Sequence, residues 1–267
     1  MSLTGKTLAS TYKSLIRIND DTNGIDTNVE NVTDGEGTSS VLGLSTDSCM
    51  VVPKTTDKTA VFAVQDKDSN TLFVVDSDND LVISGIGQHN VNTQYAHFGI
   101  SNSDAAWDDS LANTHYAVPF GGMGRSRITT IANFGFGTST DPATTLTISD
   151  SAHDILQCYW YVPDNITVDA VQWWQSADAA TGDTTRGHLM SYDVVTAAGT
   201  TSGDLSSGAV VASSSDVTNA GYEQSYYNSM TIDSADVNAG KVMLFMFRAD
   251  SVNSDYTINA TVKYHLR

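Results

Sequence analysis

Positive charge is scarce in this sequence. Lys and Arg together number 13 against 31 Asp and Glu, which leaves a net charge of -18 at pH 7 over 267 residues. A surface of that sign repels phosphate backbones and anionic lipid, so nucleic acid and membrane surfaces are excluded as partners. Cysteine is nearly absent too. Cys49 and Cys158 lie far apart in different surroundings, and a chain assembled in a reducing cytoplasm gains nothing by pairing them, so both are expected as buried thiols. Long apolar runs are missing: the longest, Val242 to Phe247, falls far short of the roughly 20 residues a membrane span needs. The opening MSLTGKTLAS has no basic region followed by an apolar core, so no secretory signal is expected. Without one, the sequons at Asn31, Asn165 and Asn259 carry no weight.

Catalytic signatures are also missing. There is no G-x-S-x-G elbow, no H-E-x-x-H, no phosphate-binding G-x-x-x-x-G-K-[ST] and no cysteine pair at metal spacing. His89, His97, His115, His153, His188 and His265 are scattered along the chain. Asp108-Asp109 beside Trp107 is the most tempting carboxylate pair, but adjacent residues of a strand face opposite ways, whereas a glycosidase needs two carboxylates converging across a cleft. These absences favour a non-enzymatic protein with no cofactor and no metal.

What the chain does have is hydroxyl, amide and glycine. Charged residues are only 16% of it, so Ser, Thr, Asn and Gly must wet the surface, and such short polar side chains favour strands and turns over helices. One short amphipathic helix is expected over Thr7 to Ile18, where Leu8, Tyr12, Leu15 and Ile16 fall at helical spacing. The Asp-, Asn- and Gly-rich stretch that follows reads as tight turns joining very short strands around Ile25, Val29 and Val32. Val61-Phe62-Ala63-Val64 is echoed by Leu72-Phe73-Val74-Val75, which predicts two strands joined by an Asp-rich turn, with a second such turn leading into Leu81-Val82-Ile83. This meander is too thin to bury a core, and identical copies around a symmetry axis would cover it most simply. Its turns place Asp66, Asp68 and Asn70, then Asp76, Asp78 and Asp80, at alternate positions like the start of a calcium loop. The glycine at position six and the Glu at position twelve are missing, so Asx-stabilised turns are the favoured reading.

Residues 85–120 show scattered aromatics and little periodicity, which predicts an irregular connection. Gly121, Gly122 and Gly124 mark the expected boundary between a first region, 1–120, and a second, 121–267. In the second, Tyr256 to Leu266 alternates apolar and polar residues without a fault, the pattern of a half-buried strand. Val242 to Phe247 and Ile155 to Val162 are apolar on both faces and read as central strands. Further strands are expected at 128–134, 144–148, 166–174, 188–195, 210–213 and 226–232. About eight strands with Gly, Asp and Ser turns fit a jelly-roll-like two-sheet sandwich. Trp173, Trp174, Tyr226 and Tyr227 are the candidate surface residues, able to stack on sugar rings through their apolar faces.

The N-terminal residues carry a likeness. Thr11-Tyr12-Lys13-Ser14-Leu15-Ile16, Thr33-Asp34-Gly35-Glu36-Gly37-Thr38 and Leu44-Ser45-Thr46 resemble the opening segment of tail-fibre and related structural proteins of marine bacteriophages, cyanophages among them. The likeness covers about the first fifth of the chain and extends loosely to Phe73–Asp80. It implies an all-β homotrimer, assembled in the host cytoplasm and held in the virion by its N-terminal region, with Tyr12, Lys13, Leu15 and Ile16 as attachment residues. Its implied partners are other virion proteins of the tail, collar or capsid, and a host cell-surface glycan met by the C-terminal sandwich. The chain lacks a long repetitive shaft, which keeps a head-fibre, capsid-decoration or collar role open beside the tail fibre. A surface-glycan depolymerase is the enzymatic rival.

Overall fold

The computed structural model describes residues 15–20, 22–85, 89–100, 112–121, 135–148, 155–177, 181–220, 224–250 and 256–267. These residues are almost entirely strand and turn, and no helix of seven or more residues occurs among them. They form two compact units that divide at Val91/Asn92.

The first unit holds two antiparallel four-stranded sheets. One runs in the order β1 (Arg17–Ile18), β2 (Glu30–Thr33), β3 (Ser39–Leu44), β4 (Cys49–Val51); the other in the order β5 (Phe62–Gln65), β6 (Thr71–Asp76), β7 (Leu81–Ser84), β8 (His89–Asn90). Most of the expected helix lies outside the described residues, but Arg17 and Ile18 are extended and pair with Thr33 and Val32. The helical spacing is overridden there by backbone pairing to β2. The echoed segments pair antiparallel, Phe62 opposite Val75 and Val64 opposite Phe73, and the two Phe rings meet edge to face at 6.3 Å. Ile25 sits in a bend and Val29 just before β2 rather than in strands, and Cys49 is exposed, contrary to the expected buried thiol.

The second unit contains two antiparallel sheets that face each other. The seven-stranded sheet runs β10 (His115–Val118), β19 (Lys241–Ala249), β13 (Thr184–Val194), β14 (Leu205–Ser213), β17 (Thr231–Ile232), with β11 (Trp160–Val162) also on β19 and β15 (Val217–Thr218) also on β13. The five-stranded sheet runs β16 (Gln224–Ser229), β12 (Ile166–Ala177), β20 (Tyr256–Leu266), β9 (Thr93–Ile100), with β18 (Asp236–Val237) also on β12. Aromatic side chains join the layers: Trp173 of β12 meets Phe245 and Phe247 of β19 with centroids 5.9 Å apart, and Phe98 of β9 meets Phe245 at 6.0 Å. Gly187 makes room for this contact, since a Cβ there would lie 3.0 Å from Phe245 and 3.2 Å from Trp173.

β20 alternates buried and half-buried residues as its sequence demands. β19 is buried on both faces from Val242 to Phe247 because β10, β11 and β13 flank it and both of its surfaces are covered. Three expectations are corrected. Residues 93–100 and 115–118 are not an irregular connection but strands of the two sheets, so the boundary moves from about residue 120 to Val91/Asn92. Gly121 stands in a turn after β10, and Gly122 and Gly124 lie outside the described residues. The apolar run from Ile155 is strand only from Trp160; Leu156–Cys158 form a 3-10 turn. Residues 144–148 contribute a single bridge, Leu146 to Leu205, instead of a strand, and the strand expected at 128–134 lies outside the described residues.

Candidate functional site

Two surfaces stand out, one on each unit, and neither is a cleft. In the first unit few of the apolar side chains are covered within the unit. Val74 is its only buried hydrophobic residue among those described, while Ile25, Val29, Val41, Met50, Phe62, Val64 and Leu72 are exposed. The strand Phe62–Gln65 is exposed on both faces. Bare apolar strand of this kind marks an interaction surface. Of the candidate attachment residues, Leu15 and Ile16 belong to this set, Ile16 with 81% of its surface open; Tyr12 and Lys13 lie outside the described residues.

The turns of this unit are closed on themselves. Asp66 accepts from the backbone N–H groups of Asp68 and Asn70 at 2.9 Å and from the Asn70 amide at 2.9 Å. Asp76 accepts from Asp78 and Asn79 in the same manner. Asp34 takes the N–H groups of Glu36 and Thr38. The Asn70 and Asn79 amides hold the carboxyls of Asp66 and Asp76 below the usual Asp range, and the Thr38 N–H does the same for Asp34. These oxygens serve their own loops, which is the work of Asx turns. No cluster of three metal-ligating side chains occurs among the described residues.

In the second unit the site is the outer face of the five-stranded sheet. Side chains directly opposite across antiparallel strands share a face, so one row across the sheet is Tyr227, Trp174, Asn259, Gly99 and the next is Ser229, Gln172, Thr261, His97. Trp174 and Tyr227 are 51% and 49% exposed, with ring centroids 5.2 Å apart at a 53° tilt. His97 Nδ1 and Thr261 Oγ1 lie 3.2 Å apart. Further along, opposite Lys263, Tyr95 is 59% exposed. Aromatic rings set among amides and hydroxyls suit a ligand with both an apolar ring face and a fringe of hydroxyl groups, as a sugar has.

Sequence reasoning placed four aromatics here, and the structure keeps two. Trp173 is a correction: it is fully buried between the sheets, because neighbours in a strand point to opposite faces and Trp174 takes the outer one. Tyr226 likewise turns inward and is half-buried. Its hydroxyl accepts from the Ala220 N–H at 2.7 Å and donates to Gln224 at 3.0 Å, so it serves as a loop clasp. Tyr95 was missed, along with the polar residues around it. The signal was present in Ala96, Phe98 and Ile100, whose alternation is that of a strand with Tyr95 and His97 outward. Asp108 and Asp109 lie outside the described residues. No helix among the described residues is long and apolar enough to cross a membrane. Comparison with protein-family models finds none that matches the chain, and comparison with curated proteins finds no match either.

Proposed function

We propose that this chain is a non-enzymatic structural protein of a bacteriophage particle, a homotrimer whose first unit assembles and attaches it and whose second unit meets a host-surface glycan. The observation that carries this reading is the bareness of the first unit. Two small sheets with a single buried hydrophobic residue, Val74, among the described residues fall short of what independent stability requires, and equivalent strands from other copies are the most economical cover. Its Asp-rich turns match the segments whose likeness is to fibre proteins of marine phages.

Strand order supports a jelly roll for the second unit. Numbering its eight principal strands in chain order, from β9, β10, β12 and β13 to β14, β16, β19 and β20, gives sheets of order 1-8-3-6 and 2-7-4-5. That is the two-Greek-key arrangement found in many capsid and lectin domains. The open aromatic face of its 1-8-3-6 sheet is the proposed glycan contact, through Trp174, Tyr227 and Tyr95.

The shortness of the first unit favours a second reading within the same class: a head-fibre, decoration or collar protein that grips the shell. An adsorption-blocking assay with the purified protein separates the two. Protection of host cells from infection supports the fibre. Binding to capsids without any protection supports decoration. Release of reducing sugar from host polysaccharide would overturn both in favour of a depolymerase.

A further inference from the structure

His115 and His188 are 73 positions apart in sequence and meet on the outer face of the seven-stranded sheet. They stand opposite Arg248 and Met246 of β19, two positions apart on the same face of the strand between them. Their ring centroids are 5.1 Å apart at a 74° tilt, and both side chains are fully buried. What buries this face is a strap, Gly135–Ile148, which crosses it without regular structure. Its second half is held independently of the histidines: Ala143 accepts from the Tyr192 hydroxyl at 2.9 Å, Thr144 from the Gly208 N–H at 2.9 Å, Leu146 bridges Leu205, and the Ile148 N–H donates to Asp204.

Its first half is held at the histidine pair. The Gly137 carbonyl accepts both the His115 backbone N–H at 3.1 Å and its ring Nδ1–H at 3.2 Å, and the Phe136 N–H returns a bond to the His115 carbonyl. Ser139 accepts from Arg248 at 3.2 Å. Asp141 reaches within 3.4 Å of His188 Nε2 from a largely exposed position. Because Gly137 offers only an acceptor, His115 carries its proton on Nδ1 and leaves Nε2 bare. Neither that nitrogen nor His188 Nδ1 has a hydrogen-bond partner among the described residues, and His188 Nε2 has only the long contact to Asp141. The charged groups around the pair are Arg248 on β19, Arg186 on β13, itself bound to Asp216, and Asp141 on the strap. On the β14 side the neighbour is Ser213, which donates to Asp233.

We propose that the His115–His188 pair is a proton-operated latch: neutral rings hold the first half of the strap on the sheet, and charging both rings releases it. The pocket as a whole opposes positive charge through burial, although the Gly137 carbonyl and the Asp141 carboxylate favour it. One exposed carboxylate can compensate one imidazolium, while two arginines and the partner ring oppose the second. Burial is the main cause that pulls both rings down, to about 4 from the ordinary 6.5. A histidine whose folded value is depressed contributes stability that is whole above the unfolded value and is lost as pH falls toward the folded one. The window is therefore from about 6.5 down to about 4, with a loss of at most about a hundredfold in the closed-to-open ratio per pH unit when both rings take part. The second half of the strap makes no hydrogen bond with the histidine pair and keeps the strap tethered.

Hydrogen exchange of the full-length protein at pH 7 and pH 4.5, corrected for intrinsic rates, tests this. Peptides covering 135–141 are expected to lose protection more than tenfold at pH 4.5, while peptides covering 143–148 and 256–266 keep theirs. The double variant H115Q/H188M is expected to remove the pH dependence; H115Q alone serves if the double variant does not fold. Equal protection of 135–141 at both pH values overturns the latch. So does loss of protection in strand and strap together, or a pH response unchanged in the folded variant.

Discussion

Two regions of one chain, built from the same strand-and-turn vocabulary, have opposite relations to their apolar residues. Among the described residues, the unit from Asn92 onward holds all but one of the 36 buried hydrophobic residues, and the unit before it holds 11 of the 17 exposed large ones. Turn chemistry is no worse in the first unit, where Asp34, Asp66 and Asp76 each close a loop with two backbone hydrogen bonds. The difference is what lies across from each sheet. In the second unit a facing sheet supplies Phe245 and Phe247 to Trp173; among the described residues, the sheets of the first unit leave many of their apolar side chains uncovered. A sheet's hydrogen bonds fix its local shape, but burial supplies most of the net stabilisation, so the first unit is expected to gain its stability from association.

The largest effect expected from a single substitution is in the second unit. Trp173→Ala leaves a cavity between the sheets and costs about 3–5 kcal/mol. Differential scanning calorimetry should show the transition of the second unit moved down sharply, with the oligomer held by the first unit still present. A shift of both together would break the division between them.

Phe62→Ser acts in reverse. In a lone chain the ring is already half in water and little is lost. In an assembly that covers it, about 2 kcal/mol per chain goes, and dilution in analytical ultracentrifugation should dissociate a trimer of the variant at a concentration on the order of a hundred times higher than the parent. Asp76→Ala removes the carboxylate that closes the turn before β7 and should cost about 1 kcal/mol, read as earlier local exchange at 76–80. The same turn weakens with acid: the folded-state value of Asp76 lies below the ordinary 3.8, so its contribution is present above pH 3.8 and fades as pH falls through the lower folded value. The smallest stability effect is at Trp174→Ala, within about 0.5 kcal/mol, yet retention of the protein on a column of host polysaccharide should fall at least tenfold. Unchanged retention would remove the aromatic face from the account.

Much of this architecture was legible in the chain. The unbroken alternation of Tyr256–Leu266 and the doubly apolar run Val242–Phe247 identify a half-buried and a central strand because the period-2 geometry of a strand leaves no other way to place those side chains. The paired Phe62 and Phe73 segments announced a hairpin. What the sequence hid has physical causes. Thr93–Ile100 carries a Tyr outward and an Ala inward, which flattens the contrast between its faces, and three nearby glycines drew the boundary away from it. Trp173 and Trp174 look equivalent in sequence, though strand geometry allows only one of them to face water. The His115–His188 contact is beyond any local pattern, since it exists only once β10 and β13 flank β19.

The central claim is that copies of this chain cover the apolar strands of its first unit. The mass of the purified protein in solution, by light scattering or sedimentation equilibrium, tests it most directly. The account predicts three times the 28.5 kDa of a single chain. A 28.5 kDa particle whose residues up to Val91 are protected from exchange would contradict it.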